Sequence, residues 1–249
     1  MGEYLHENEV GMALRTILFD LDGTLLPMDQ DEFVKGYFKL LAQKLAPHGY
    51  EAKALINAVW AGTAAMIQND GSQSNESAFW KRFAAVLGDK VYGDKILFED
   101  FYANEFGMAK QFCGSNPAAA ETVKVLKDKG FQLALATNPI FPTIATEQRI
   151  AWAGLHPTDF ALYTTYENAS YSKPNPAYYQ QILDKLGTRA EDCLMVGNDT
   201  TDDTAPEKLG MQVFLLTDCL INEKNKDISG YPQGSFADLM AYVEQQEKE

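Results

Sequence analysis

The sequence predicts an α/β protein whose doubly wound parallel sheet is interrupted, after its first strand, by an all-helical insert. Three observations predict this class. Five short runs are apolar almost without a break, the pattern of strands covered on both faces. Helical patterns alternate with the later runs, which implies βαβ units. Between Met28 and Cys113 no convincing strand occurs, and apolar residues recur at helical spacing instead.

The first strand is "ALRTILF" (Ala13 to Phe19), which runs into the acidic turn "DLDG". The insert follows. "FVKGYFKLLAQKL" (Phe33 to Leu45) and "FWKRFAAVLG" (Phe79 to Gly88) have helical periodicity, and "QNDGSQSNES" (Gln68 to Ser77) is loop-like. The longest apolar region, "ALINAVWAGTAAMI" (Ala54 to Ile67), falls short of a membrane span and contains Asn57, so it is read as a core helix. The sheet then resumes with "FQLALAT" (Phe131 to Thr137), "FALYTT" (Phe160 to Thr165), "CLMVG" (Cys193 to Gly197) and "QVFLLT" (Gln212 to Thr217). Helical patterns cover Pro117 to Lys129, Phe141 to Trp152, Pro174 to Leu186, Thr204 to Leu209 and Phe236 to Gln246. The expected organisation is an N-terminal extension over 1–12, a sheet domain from 13–27 and 114–249, and a helical cap over 28–113. In the cap, Trp60, Phe79, Trp80, Phe98, Phe101 and Tyr102 are expected to form its core. Lys81 and Arg82 are expected on its surface, and the loop Asn69 to Glu76 is the segment that would dip toward a site.

Bulk properties narrow the function. With 46 % apolar residues, 249 residues can bury a sizeable core. A net charge of −14 repels nucleic acid and anionic membranes, so neither is expected as a partner. The same charge obliges any phosphate site to bring its own local cation. Three cysteines, an odd count with no C-x-x-C spacing, suit a reduced, cytoplasmic setting. A monomer is the default expectation.

Ligands in open α/β sheets bind outside the carboxyl ends of the strands. Here those ends are polar. The first strand delivers Asp20 and Asp22, the second Thr137 and Asn138, and the fourth "VGNDTTDD" with Asp199, Asp202 and Asp203. Lys173 lies in "SKPNP" before the next helix. Several carboxylates from two strand ends make a hard, oxygen-rich site suited to Mg²⁺, whereas the three histidines are scattered and offer no zinc cluster. A lysine, a hydroxyl and exposed amides beside such a metal suit phosphate oxygens. One carboxylate there can attack phosphorus, and a second, two residues on, can serve as acid and then base. Each motif alone has a plainer reading: a turn at "DLDG", a polar loop before Pro139, a solvated lysine, and N-capping acids after the fourth strand.

"FDLDGTLL", "LATN", "SKPNP" and "VGNDTTDD" together resemble, in order and rough spacing, the four motifs of the haloacid dehalogenase (HAD) superfamily. The resemblance runs from about Leu14 to Thr217. It implies a Rossmann-like core and a phosphatase with a helical cap between the first two motifs, acting on a small phosphorylated metabolite. It implies Asp20 as nucleophile and Mg²⁺ ligand, and Asp22 as acid and base with its carbonyl on the metal. Thr137 and the Asn138 amide would hold the phosphoryl group, Lys173 would neutralise charge, and Asp199 would complete the protein's metal ligands. Asp203, preferred over Asp202 because it lies one helical turn from Asp199, would hold Lys173 or a metal-bound water. A phosphomutase of the same family shares these motifs. A metal-independent haloacid dehalogenase typically carries Tyr where this chain has Asp22, and a non-catalytic binding module would show losses in the motifs.

Overall fold

The computed structural model describes residues 14–246. The expected extension over 1–12 lies outside the described residues. Six parallel strands form one sheet in the order β3-β2-β1-β4-β5-β6. They are β1 (Thr16–Phe19), β2 (Gln132–Leu135), β3 (Leu162–Tyr163), β4 (Cys193–Gly197), β5 (Gln212–Leu216) and β6 (Gln233–Gly234). The helices are α1 (Gln30–Leu45), α2 (Ala52–Ile67), α3 (Asn75–Leu87), α4 (Lys90–Gly93), α5 (Lys95–Asn104), α6 (Pro117–Asp128), α7 (Thr143–Trp152), α8 (Pro176–Leu186) and α9 (Phe236–Gln246).

Alternation along the strands builds two apolar layers. Ile17, Phe19, Leu133, Leu135, Leu194 and Val196 face one way, into a core that includes α6, α9 and the insert helices. Leu18, Ala134, Met195, Val213 and Leu215 face the other way, onto Tyr178, Tyr179, Ile182 and Leu183 of α8. Both faces are therefore buried, which is why the strands read as continuous apolar runs. Each fully buried Leu, Ile or Phe contributes about 1.5–3 kcal/mol relative to exposure.

The chain leaves the sheet after β1 and comes back at a tight junction. The amide of Gly114 bonds the Pro27 carbonyl at 2.7 Å, and Met28 pairs with Cys113. Between them lie five helices and no strand. Some boundaries differ from the sequence expectation. The loop predicted to Ser77 stops earlier, because Ser74 caps α3 through the Ser77 amide. The helix predicted at Thr204 to Leu209 is a 3₁₀ segment over Ala205–Leu209, with Pro206 in its first turn removing a helix donor. β6 is two residues long and α5 was not anticipated. The three cysteines are free thiols.

Strand β1 is flanked by β2 on one side and β4 on the other. The chain winds outward from β1 to β3, then returns to β4 and winds the opposite way. This reversal leaves a crevice beyond the carboxyl ends of the two middle strands, where doubly wound sheets bind ligands.

Candidate active site

Asp20 follows β1 directly. Its amide bonds Val196 of β4 at 2.9 Å, so the main chain fixes the carboxylate above the switch point. The chain then turns sharply: the amide of Leu26 bonds the Leu21 carbonyl at 2.8 Å, with Gly23 at φ +85°. A Cβ on Gly23 would stand 2.3 Å from Asn198 Nδ2, so this turn needs glycine for both its backbone angle and its approach to the β4 loop. Thr24 stands across the gap, its hydroxyl 3.1 Å from Asp20 Oδ2 and 2.9 Å from Asn198 Oδ1.

The centre of the site is a buried triad. Lys173 Nζ donates to Asp20 Oδ1 at 2.8 Å and to Asp203 Oδ1 at 2.6 Å. Its side chain is 2 % exposed and that of Asp203 1 %. Burial works against the ammonium charge, but the two carboxylates outweigh it and raise the lysine pKa well above its ordinary value. Asp203 is itself fixed by the turn after β4, its Oδ2 accepting the amides of Asn198 and Asp199, each at 2.9 Å. Gly197 makes this possible, since a Cβ there would meet Asp203 Oδ2 at 2.1 Å. The amide of Asp203 bonds the Asp199 carbonyl at 2.9 Å, closing the single helical turn expected between them. Asp203 holds the lysine; Asp202 lines the same cavity, and its carbonyl accepts from Tyr179.

Asp199 Oδ1 accepts the amides of Thr201 and Asp202 at 2.6 and 2.9 Å, so this acid also caps its own turn. Thr137 is buried at the end of β2, its carbonyl accepting from Thr164 and Tyr178. Asp20, Asp22, Thr137, Asn138, Lys173, Asp199, Asp202 and Asp203 all line one cavity of about 160 Å³. Every residue expected at the site is therefore brought to one place.

One residue matters here that the sequence does not single out. Arg149 of α7 is fully buried and pairs through Nη1 with Asp22 Oδ2, while its guanidinium lies 4.4 Å from the Phe141 ring centroid. Burial raises the Asp22 pKa and the nearby guanidinium opposes the rise. A signal existed: Ala145, Thr146, Arg149 and Ile150 form the buried face of α7, and an arginine on such a face requires an acid partner. Arg149→Leu should cost about 2–4 kcal/mol by leaving Asp22 without its cation. Thermal melts of Arg149→Leu, Asp22→Asn and the double variant would check this; the double variant should be more stable than the sum of the single losses implies.

The insert loop expected to dip toward the site brings in Asn75, fully buried at the start of α3. Its Nδ2 lies 3.2 Å from the Pro139 carbonyl, 3.1 Å from the Tyr171 carbonyl and 3.1 Å from Ser172 Oγ. The insert loop thus rests on the two core loops that carry Asn138 and Lys173. Lys81 and Arg82 are exposed.

The residues present fit a divalent cation. Asp20 and Asp199 line the same cavity beside Asp22, so their carboxylates and the main chain at Asp22 offer a hard oxygen donor set. No three acidic, histidine or cysteine side chains cluster as a ready cage among the described residues. Two carboxylates and a main-chain carbonyl would leave further positions to water and phosphate, which is the habit of Mg²⁺.

The fold is a parallel α/β sheet whose middle strands gather acids around one buried lysine, beneath a helical insertion. Sequence comparison gives the family: the description of haloacid dehalogenase-like hydrolases matches residues 14–210, and the chain belongs to that family. It is similar to a phosphoglycolate phosphatase of Vibrio parahaemolyticus, 29 % identical over 210 residues that cover 82 % of this chain and 84 % of that one. It is also similar to the pyrophosphatase PpaX of Bacillus pumilus, 24 % identical over 190 residues, or 76 % of this chain and 77 % of that one. In fold it matches the HAD-hydrolase YfnB of Bacillus subtilis, solved bound to magnesium, with a TM-score of 0.55, 18 % identity and coverage of 93 % and 99 %. The chain is a phosphatase-like hydrolase of this family. No helix among the described residues is long and apolar enough to cross a membrane.

Proposed function

We propose that this chain is a Mg²⁺-dependent phosphatase that hydrolyses a small phosphomonoester through an aspartyl-phosphate on Asp20. The observation that carries the reading is the Lys173 triad: a buried ammonium held 2.8 Å from an acid at the β1 end, and braced from behind by Asp203 at 2.6 Å. On a surface of net charge −14, this is the local cation that an anionic substrate requires.

Asp20 would attack phosphorus while the bond to the ester oxygen breaks. Asp22, whose Oδ1 is buried with no partner, would give its proton to the departing alkoxide. The same carboxylate would then take a proton from water as that water attacks the phosphoryl group, releasing phosphate and restoring Asp20. Thr137 and the Asn138 amide would hold the transferring oxygens, with Lys173 balancing charge between nucleophile and phosphate. Asp20, Asp199 and the Asp22 carbonyl would hold Mg²⁺, which shields the phosphate from the surrounding acids. Residues 28–113 would act as a cap that excludes bulk water from the site.

The metal assignment has a readout independent of turnover. At about 100 times its dissociation constant, Mg²⁺ should stabilise the fold by about 2.7 kcal/mol, raising Tm by about 5–10 °C. Asp199→Asn should remove most of that rise. An equal rise in the variant, or none in the wild type, would refute the assignment.

A further inference from the structure

The cavity above Asp20 does not end at the acids. A second chamber of about 90 Å³ adjoins it, and Val34, Ile140 and Phe141 belong to the walls of both. Its lining is aromatic and aliphatic, with Phe38, Val59, Trp60, Phe79 and Trp80 among its walls. Trp80, Phe98 and Phe101 are buried in the cap core as expected, but that core is not closed. Trp60 is 51 % exposed, while Phe79 and Tyr102 are half-buried against the chamber.

Charge decides what this chamber can take. Among the described residues, Lys173 is the only cation lining either cavity, and it is already committed to Asp20 and Asp203. Arg149 is fully buried, paired with Asp22 and covered by Phe141. A carboxylate or second phosphate on the leaving group would therefore meet no free cation, and would face Asp22, Asp199 and Asp202. Polar partners are scarce as well. The hydroxyls of Tyr37 and Tyr102 lie 2.9 Å apart and share one hydrogen bond, so that pair and the Thr63 hydroxyl leave few groups free to donate or accept. An anionic or polyhydroxylated leaving group would lose its hydration there with few groups to replace it.

We infer that the leaving group of the substrate is apolar, a short alkyl or aryl alcohol seated in the chamber between α1, α2 and α3, with its phosphate at Asp20. The inference rests on the phosphatase reading and goes beyond it, because it sets this chain apart from relatives named for phosphoglycolate and pyrophosphate.

The test is a steady-state series with the full chain and Mg²⁺. It compares methyl, ethyl, butyl, hexyl and phenyl phosphates with phosphoglycolate, glycerol 3-phosphate and 3-carboxypropyl phosphate. The kcat/KM should rise about fourfold per added methylene until the chamber is full. Butyl phosphate should exceed its carboxylate-ended counterpart by about a hundredfold or more. Thr63→Arg, on the chamber wall, should shrink that ratio at least about tenfold, with thermal melts confirming that the variant is folded. Turnover that is flat in chain length, or that favours phosphoglycolate or glycerol 3-phosphate, would overturn the inference while leaving the phosphatase reading intact. No Asp20-dependent phosphate release from any ester would overturn both.

Discussion

Asp20→Asn should release phosphate at least about ten-thousandfold more slowly than the wild type and yet fold normally. An amide has no nucleophilic oxygen of comparable strength, so the covalent route closes, and removal of a single nucleophile has an effect of this order elsewhere. The fold should tolerate the change because the neighbourhood keeps its partners. Lys173 remains paired with Asp203 at 2.6 Å, and an asparagine oxygen can still accept from Nζ. Tm should stay within a few degrees of the wild type. Measured phosphate release and thermal melts check the two halves together. A fully active variant would remove Asp20 from the chemistry; an inactive but unfolded one would show that the acid is structural.

Lys173→Met should lose both activity and stability, in contrast to Asp20→Asn. The lysine is the single cation between two buried acids, with side-chain exposures of 2 % for Lys173, 10 % for Asp20 and 1 % for Asp203. Without it the two carboxylates, each held within 2.8 Å of the missing ammonium, repel each other with no cation between them. Breaking a buried pair in this way typically costs about 3–5 kcal/mol, which lowers Tm by roughly 10 °C in a chain of this size. Adding Asp203→Asn should recover part of the stability, since one acid then carries no charge, and none of the activity. If Lys173→Met melts with the wild type, the triad does not hold the site together.

The sheet was legible because its chemistry is local. Both faces of β1, β2, β4 and β5 are buried, so each strand is a continuous apolar run ending at a polar residue, and that pattern needs no knowledge of the fold. β6 was not legible because two residues, Gln233–Gly234, carry no pattern; their pairing is set by β5. The acids and Lys173 could be assembled from strand ends alone, since topology brings every carboxyl end to one edge. Arg149 escaped because its role depends on which residue stands opposite, and Asp22 lies 127 positions away. Asn75 lies in the loop expected to dip toward the site, but its partners Pro139 and Ser172 could not be named from the sequence because they belong to two other loops. The aromatic residues of the insert were legible as apolar but not as walls. Helical periodicity shows that a ring faces inward, and only the packed helices show that the inward space is partly open.

A rapid acid quench tests most directly whether the phosphoryl group passes through a covalent bond to Asp20. The full chain would be mixed with p-nitrophenyl phosphate and Mg²⁺, quenched within a turnover, and digested for mass spectrometry. The mechanism proposed here predicts one phosphoryl group on the peptide containing Asp20, absent in Asp20→Asn and sensitive to hydroxylamine as an acyl phosphate should be. Rapid phosphate release with no modified peptide, or with the group on another residue, would contradict it.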